Sequence, residues 1–265
     1  MPVSDPFFIL AVAFMVGVTF MAVRATYRLF HISESQARAM HRFYRFHSAY
    51  YGKLDEELQQ RFVKRAFSFT KSLKIVGRMG LRVNQSVKYL VVAAMVQLTF
   101  GLDNYFMKNF RTVFVYPNSF RNPHTGNMHD GEVHPDGLIS FSLKKLIKGF
   151  RNSTDAVNLG LHEMAHVFMH SILTSKANNS QLKDLLNEVF ALSEVEVTKI
   201  KEGQPHIFRP YAGESVNEFF AVAVEHFFEK PQGLQSNLPL LYGKLTILLN
   251  QDPVRNIFYL SELPS

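Results

Sequence analysis

The chain has 265 residues and a formal charge of +7, with 47% apolar and 19% charged residues. That length allows one or two domains with an ample core, and the balance is globular rather than disordered. Cysteine is absent, which excludes disulfides, thiol nucleophiles, cysteine-bound zinc and iron–sulfur clusters and fits a reducing compartment. The charge is uneven: residues 24–88 hold fourteen Lys/Arg against four Asp/Glu, whereas residues 89–265 hold fifteen against seventeen. Such a basic excess points to an anionic partner, nucleic acid or a membrane surface.

Residues 7–23, FFILAVAFMVGVTFMAV, run seventeen positions without a charge. As a helix the run spans about 25 Å, at the short end for crossing a bilayer core, and flanking residues can extend it. The start, MPVSDP, has an acid and no base, unlike a cleaved signal peptide. Arg24, Arg28, Arg38, Arg42 and Arg45 follow, and the positive-inside rule then sets the N-terminus outside and the rest in the cytoplasm. The expectation is an anchor over residues 1–24, a basic juxtamembrane segment over 25–48 against the anionic leaflet, and a folded domain over 49–265.

Residues 34–76 space their apolar positions (Phe43, Phe46, Tyr50, Leu54, Leu58, Phe62, Phe69, Leu73) at helical period, with the basic residues on solvated or membrane-facing surface. Residues 84–100 open on an Asn84 cap and predict a buried helix too short to span a bilayer. TVFVYP (112–117) reads as a strand ending at proline. Residues 117–137, with three Pro, three Gly and three His, read as a loop or hairpin connection. GLISFSL (137–143) reads as a second strand.

His162-Glu163-Met164-Ala165-His166 is an H-E-x-x-H sequence inside the amphipathic run VNLGLHEMAHVFMH. Residues i and i+4 share a helix face about 6 Å apart, so both imidazoles reach one ion. Neutral imidazole suits Zn²⁺, and three protein ligands plus water form a catalytic site. Glu163 then faces the water as general base. A glycine and third histidine downstream are absent, Met169 and Ile172 standing there. His170 lies too far along the helix, about 12 Å from His162, to complete a tetrahedral site. The third ligand is thus an acid from Glu188, Glu194, Glu196, Glu214, Glu218 or Glu225, with Glu188 nearest and in an apolar run. Spacing does not choose among them.

Six motifs occur in order: FGLDNYF (100–106), VFVYPNSF (113–120), GEV (131–133), GLISFSL (137–143), LGLHEMAHVF (159–168) and YAGESVNEFFAVAVEHFFEKP (211–231). Together they resemble the Mlc titration factor A family, glucose-regulated zinc peptidases with a zincin core, over roughly residues 50–255 as judged by motif order. In that family a tyrosine and the third zinc ligand, a glutamate, lie seven residues apart, and Tyr211 and Glu218 match them. The resemblance therefore implies one Zn²⁺ per chain held by His162, His166 and Glu218, with Glu163 as base and Tyr211 stabilising the oxyanion. Glu218 opens the apolar run EFFAVAVEHFF, where an unpaired carboxylate is costly. Glu225, two turns on, falls on the same face and suits a hydrogen bond to a ligand histidine. His124, His129 and His134 read as loop surface. Met169 departs from the family, whose members often carry an aspartate there, and soluble members lack the N-terminal anchor.

The resulting expectation is an α+β, zincin-like metallopeptidase domain behind a transmembrane helix, in a bacterial inner membrane with the catalytic part in the cytoplasm. Its partners would be a peptide or protein substrate, held by GLISFSL as an edge strand, and the membrane. The resemblance also includes sequestering the transcriptional repressor Mlc, so a non-hydrolytic regulator is the alternative. Direct nucleic-acid binding is disfavoured, because no DNA-reading motif accompanies the basic segment.

Overall fold

The computed structural model describes residues 10–21, 32–103, 107, 109–122, 126–175 and 180–258. The described part is mixed α and β, mostly helical with a small sheet. Residues 10–21 form helix α1, with exposed apolar side chains. Then come α2 (Glu34–His47), α3 (Ala49–Gly52), α4 (Glu56–Ser72), β1 (Lys74–Gly77), α5 (Gln85–Thr99) and β2 (Thr112–Tyr116). Short strands β3 (Phe120–Arg121), β4 (Met128–His129) and β5 (Gly131–Val133) lead to β6 (Leu138–Ser142). Helices α6 (Leu143–Arg151), α7 (Leu159–Thr174) and α8 (Ser180–Lys201) follow, then a 3-10 turn Pro210–Gly213 and α9 (Val216–Glu229), α10 (Pro231–Asn237) and α11 (Pro239–Leu249).

The expected membrane anchor is corrected here. No helix among the described residues is long and apolar enough to cross a membrane. Twelve described helical residues, 10–21, rise about 18 Å, against a hydrocarbon core of about 30 Å. This overturns the single-pass assignment to an inner membrane and the orientation drawn from it. Residues 1–9 and 22–31, which hold the rest of the apolar run and Arg24 and Arg28, lie outside the described residues.

The helical stretch expected over 34–76 is three helices and a strand. Ser48 caps the start of α3, accepting from the Tyr51 N–H, and Asp55 caps α4, accepting from the Leu58 N–H. Both caps satisfy N–H groups that a helix leaves unpaired. Arg65 is not on a solvated face. It is buried and donates to the carbonyls of Thr99, Phe100 and Leu102, closing the C-terminal end of α5. Asn84 caps α5 as expected, accepting from the Val87 N–H.

The four-stranded sheet has the order β1-β2-β6-β5. β1, β2 and β6 run parallel, in register Ile75↔Val113 and Val113↔Ile139, and β5 joins antiparallel with Val133 opposite Ile139. β6 is therefore flanked on both sides and is not the edge strand expected of GLISFSL. Its buried Ile139, Ser140, Phe141 and Ser142 show a strand covered on both faces. The edges are β1 and β5, and β5 lies within the stretch read as a loop. α7 packs against β5, α5 and α9, so the H-E-x-x-H helix runs through the core beside an open sheet edge. Gly160 permits the approach to α5, since a Cβ there would lie 3.0 Å from Ala94 Cβ.

Candidate metal centre

Helix α7 begins at Asn158, whose side chain accepts from the Leu161 N–H. One turn later His162 and Glu163 are buried, and His166 is partly so. Helix α9 begins at Ser215, whose hydroxyl accepts from the Glu218 N–H at 3.2 Å. The spacing S-x-x-E often returns the glutamate to the cap. Here the Glu218 carboxylate reaches across instead, 3.0 Å from His162 Nε2 and 3.5 Å from His166 Nε2. One donor atom from each of these three residues lies within 4.8 Å of the others.

The polar contacts behind His162 decide its lone pair. Glu225, 1% exposed, accepts from the Nδ1–H at 2.8 Å. Nε2 is left facing Glu218, with His166 Nε2 3.3 Å away. Two imidazole nitrogens and a carboxylate oxygen crowded together repel unless a proton or cation lies among them. This donor set, all nitrogen and oxygen in a chain without cysteine, fits a zinc-type ion.

Electrostatics agree. Burial lowers the His162 pKa, but hydrogen bonds to Glu218 and Glu225 outweigh it and raise it to about 10. Burial opposes ionisation of Glu218, yet the same histidines hold its carboxyl well below the usual range. In both cases the pocket stabilises positive charge at the nitrogens. Burial, with Glu218 and Glu225 nearby, pushes Glu163 up to about 7 against the pull of His162 and His166. Burial and Glu218 raise the Tyr211 hydroxyl well above its ordinary value, so it stays protonated and able to donate. The Tyr211 ring lies 5.8 Å from that of His162 and is partly open to solvent.

Arg209 completes the arrangement, although no motif marks it. Its guanidinium grips Glu225 with two nitrogens, at 2.5 and 3.0 Å, and donates to the Ala156 carbonyl at 2.8 Å. It also lies over the Tyr211 ring, 5.7 Å from the centroid. Glu229 accepts from the Ala156 N–H and from Asn158 Nδ2. The turn before α7, where Ala156 takes a positive φ of 59°, is thus held from both sides. A motif search misses Arg209 because it lies on a loop with no periodic pattern.

The site opens into a cleft of about 330 Å³ that Gly131, Lys148, Leu159, Glu163 and Tyr211 help to line. A Cβ at Gly131 would overlap the Glu163 carboxylate, so β5 presents backbone directly to that side chain. His129 lines the cleft, His134 pairs with Glu132 at 3.2 Å, and His124 lies outside the described residues. Glu188 is paired with Lys244, away from the cluster, and Glu196 with Lys199 and His206. His170 packs edge-on against Phe110 and joins neither histidine. Larger surface hollows beside α2 contain none of these side chains.

A profile described as glucose-regulated metallo-peptidase M90 matches residues 28–248. The chain belongs to this family. Among curated relatives, Mlc titration factor A of Yersinia enterocolitica is 21% identical over 229 residues, covering 77% of this chain and 82% of the relative. Mlc titration factor A of Serratia proteamaculans is 22% identical over 222 residues, covering 77% and 84%. An uncharacterized protein of Synechocystis is 23% identical over 228 residues, covering 78% and 82%. Membership points to a metallopeptidase, and the His162–His166–Glu218 cluster is a group of donors that could hold a metal.

Proposed function

We propose that this protein is a zinc peptidase of zincin-like build, with His162, His166 and Glu218 as ligands of one zinc ion per chain. The observation that carries the reading is the convergence of those three donors beside a buried Glu163 and an open strand edge. Bound there, zinc would supply Lewis acidity and bring the pKa of a water toward neutrality.

The remaining work falls to the chain. Glu163 takes a proton from the attacking water and passes it to the leaving amine. The Tyr211 hydroxyl donates to the oxyanion as it develops. Glu225 fixes the His162 tautomer, and Arg209 fixes Glu225. The backbone of β5 has a free side along which an extended peptide can pair, and Gly131 brings that side against Glu163.

Metal content and peptide cleavage, measured for wild type, Glu163→Gln and Glu218→Gln, test the reading. Zinc near one per chain in the wild type with cleavage lost in both variants supports it. Full cleavage by zinc-loaded Glu163→Gln sinks the mechanism, and unchanged zinc in Glu218→Gln removes that ligand.

The names of two relatives favour a second reading, in which the chain binds a transcriptional repressor of the Mlc kind and need not hydrolyse anything. Repressor binding by metal-free protein, compared with cleavage by metal-loaded protein, separates the two.

A further inference from the structure

The cleft does not extend evenly on both sides of the candidate centre. Of the edge strand β5 it takes only Gly131, and before it Asp130 and the β4 residues Met128 and His129, but neither Glu132 nor Val133. Gly131 is the strand residue against Glu163. The cleft therefore runs from the reacting position toward lower residue numbers. A peptide pairing antiparallel to β5, the more stable arrangement per residue, runs the opposite way. Its residues after the bond to be cut then lead toward Asp130, whose carbonyl still accepts from the Ser142 N–H of β6, and into the part of the cleft lined by His129 and Met128.

Charge on that side is nearly all spoken for. Lys145 pairs with Asp130 at 2.8 Å. Arg209 pairs with Glu225, and Glu225 with His162. Lys148, one turn beyond Lys145 on α6, lines the same cleft, and its ammonium has no hydrogen-bond or ion-pair partner among the described residues. It is exposed, on a helix whose basic last turn also holds Arg151. The wall facing the leaving-group side thus carries one uncompensated positive charge above a partly apolar floor that includes Val157 and Leu159.

We infer that Lys148 selects substrates with a carboxylate within the first two residues after the cleaved bond, as an Asp or Glu side chain or the peptide's own C-terminus. This rests on the peptidase reading above and on pairing along β5. A long lysine stem lets the ammonium reach either position while its methylenes cover the apolar floor. The pair remains partly solvated, so the preference is modest, about twofold to fivefold, and weakens with salt.

The test uses metal-loaded protein and quenched-fluorescence peptides carrying Glu, Gln or Lys at each of the two positions on either side of the bond. Free-carboxylate and amidated C-termini are compared as well. Wild type should prefer Glu over Gln after the bond by about twofold to fivefold in kcat/KM. Lys148→Glu should invert the order toward Lys. Lys144→Glu, on the same helix but not lining the cleft, should keep the wild-type ratio. Binding of the same peptides to Glu163→Gln and to the double variant Glu163→Gln/Lys148→Glu, by fluorescence anisotropy, gives a readout independent of turnover. Cleavage without a charge preference, a preference confined to the side before the bond, or equal ratios in wild type and Lys148→Glu overturns the inference and leaves the peptidase reading standing. Selective binding through Lys148 without cleavage of any peptide keeps Lys148 as a carboxylate contact but removes the peptidase reading, and with it the placement after a cleaved bond, and so overturns the inference as stated.

Discussion

Two buried polar networks in this chain are built on opposite plans. Around α4 and α5, donors meet acceptors in matched sets. Arg65 closes three carbonyls, and Gln251 donates to Gln97 and Leu98 while accepting from the Tyr50 hydroxyl at 2.6 Å. Around α7 and α9, acceptors face acceptors: two imidazole nitrogens and a carboxylate meet in one corner, with further carboxylates at Glu163 and Glu225. The first network is complete as protein. The second stores an imbalance that only positive charge relieves. Buried polarity by itself says little about function; whether the chain satisfies it says much more.

The sharpest way to break this contrast is at Glu218. Glu218→Gln removes the anionic donor, and cleavage should fall by at least about 10³-fold with zinc affinity, since ligand and charge go together. Chelation of the wild type should lower its melting temperature, whereas Glu218→Gln should respond little to chelator. Arg65→Met probes the matched network. It leaves buried carbonyls short of donors and should destabilise by about 3 kcal/mol in denaturant titration. Zinc stoichiometry should stay at the wild-type value. A change in metal content there would mean that the two networks are one.

Gly131→Ala comes next. The added methyl overlaps the Glu163 carboxylate, so cleavage should fall by about 100-fold while zinc remains bound. Loss of zinc as well would place the strain on the ligands rather than the base. Arg209→Lys keeps a charge but loses the two-nitrogen grip on Glu225. Competition with a chromogenic chelator should show zinc affinity down by about tenfold, at the low end for such outer contacts.

How much of this was legible in the sequence follows from the same contrast. His162, Glu163 and His166 are four residues apart at most, and helix geometry alone brings them together. The Asn84 cap and the strands at 112–116 and 138–142 were equally local. Glu218 is 56 residues from His162, and only the family pattern singled it out from five other acids. Arg209 and Arg65 escaped, because each acts across a fold-level contact that leaves no periodic trace. Arg65 even lay in the segment whose basic residues looked solvated. β5, three residues long in a stretch rich in Gly, Pro and His, was too short to show alternation, and so β6 was mistaken for the edge. The apolar run near the N-terminus misled in the other direction: the helix described within it, residues 10–21, is too short to cross a membrane.

The smallest expected effect concerns Glu229, where the contrast is least clear. Its carboxylate accepts two N–H bonds, as in a matched network, yet burial and the nearby Asp155 and Glu225 charges raise its pKa to about 7. In the unfolded chain a glutamate titrates near 4.3. Between about pH 4.5 and 7 the folded state therefore binds more protons, and stability falls as pH rises. Below that window both states are protonated, and above it both are ionised, so the slope vanishes at either end. Glu229→Gln cannot titrate. Metal-free wild type and variant, unfolded in urea across pH 5 to 8, should differ by a gap that shifts against the wild type by about 1 kcal/mol on crossing the window, after allowance for partial solvation. Loss of one acceptor adds a constant offset and cancels from the slope. A flat difference would mean that the Ala156 and Asn158 N–H groups neutralise the charge fully. Glu229 would then belong with Arg65 and Gln251 as a completed structural contact, and the imbalance at α7 and α9 would end at Glu225.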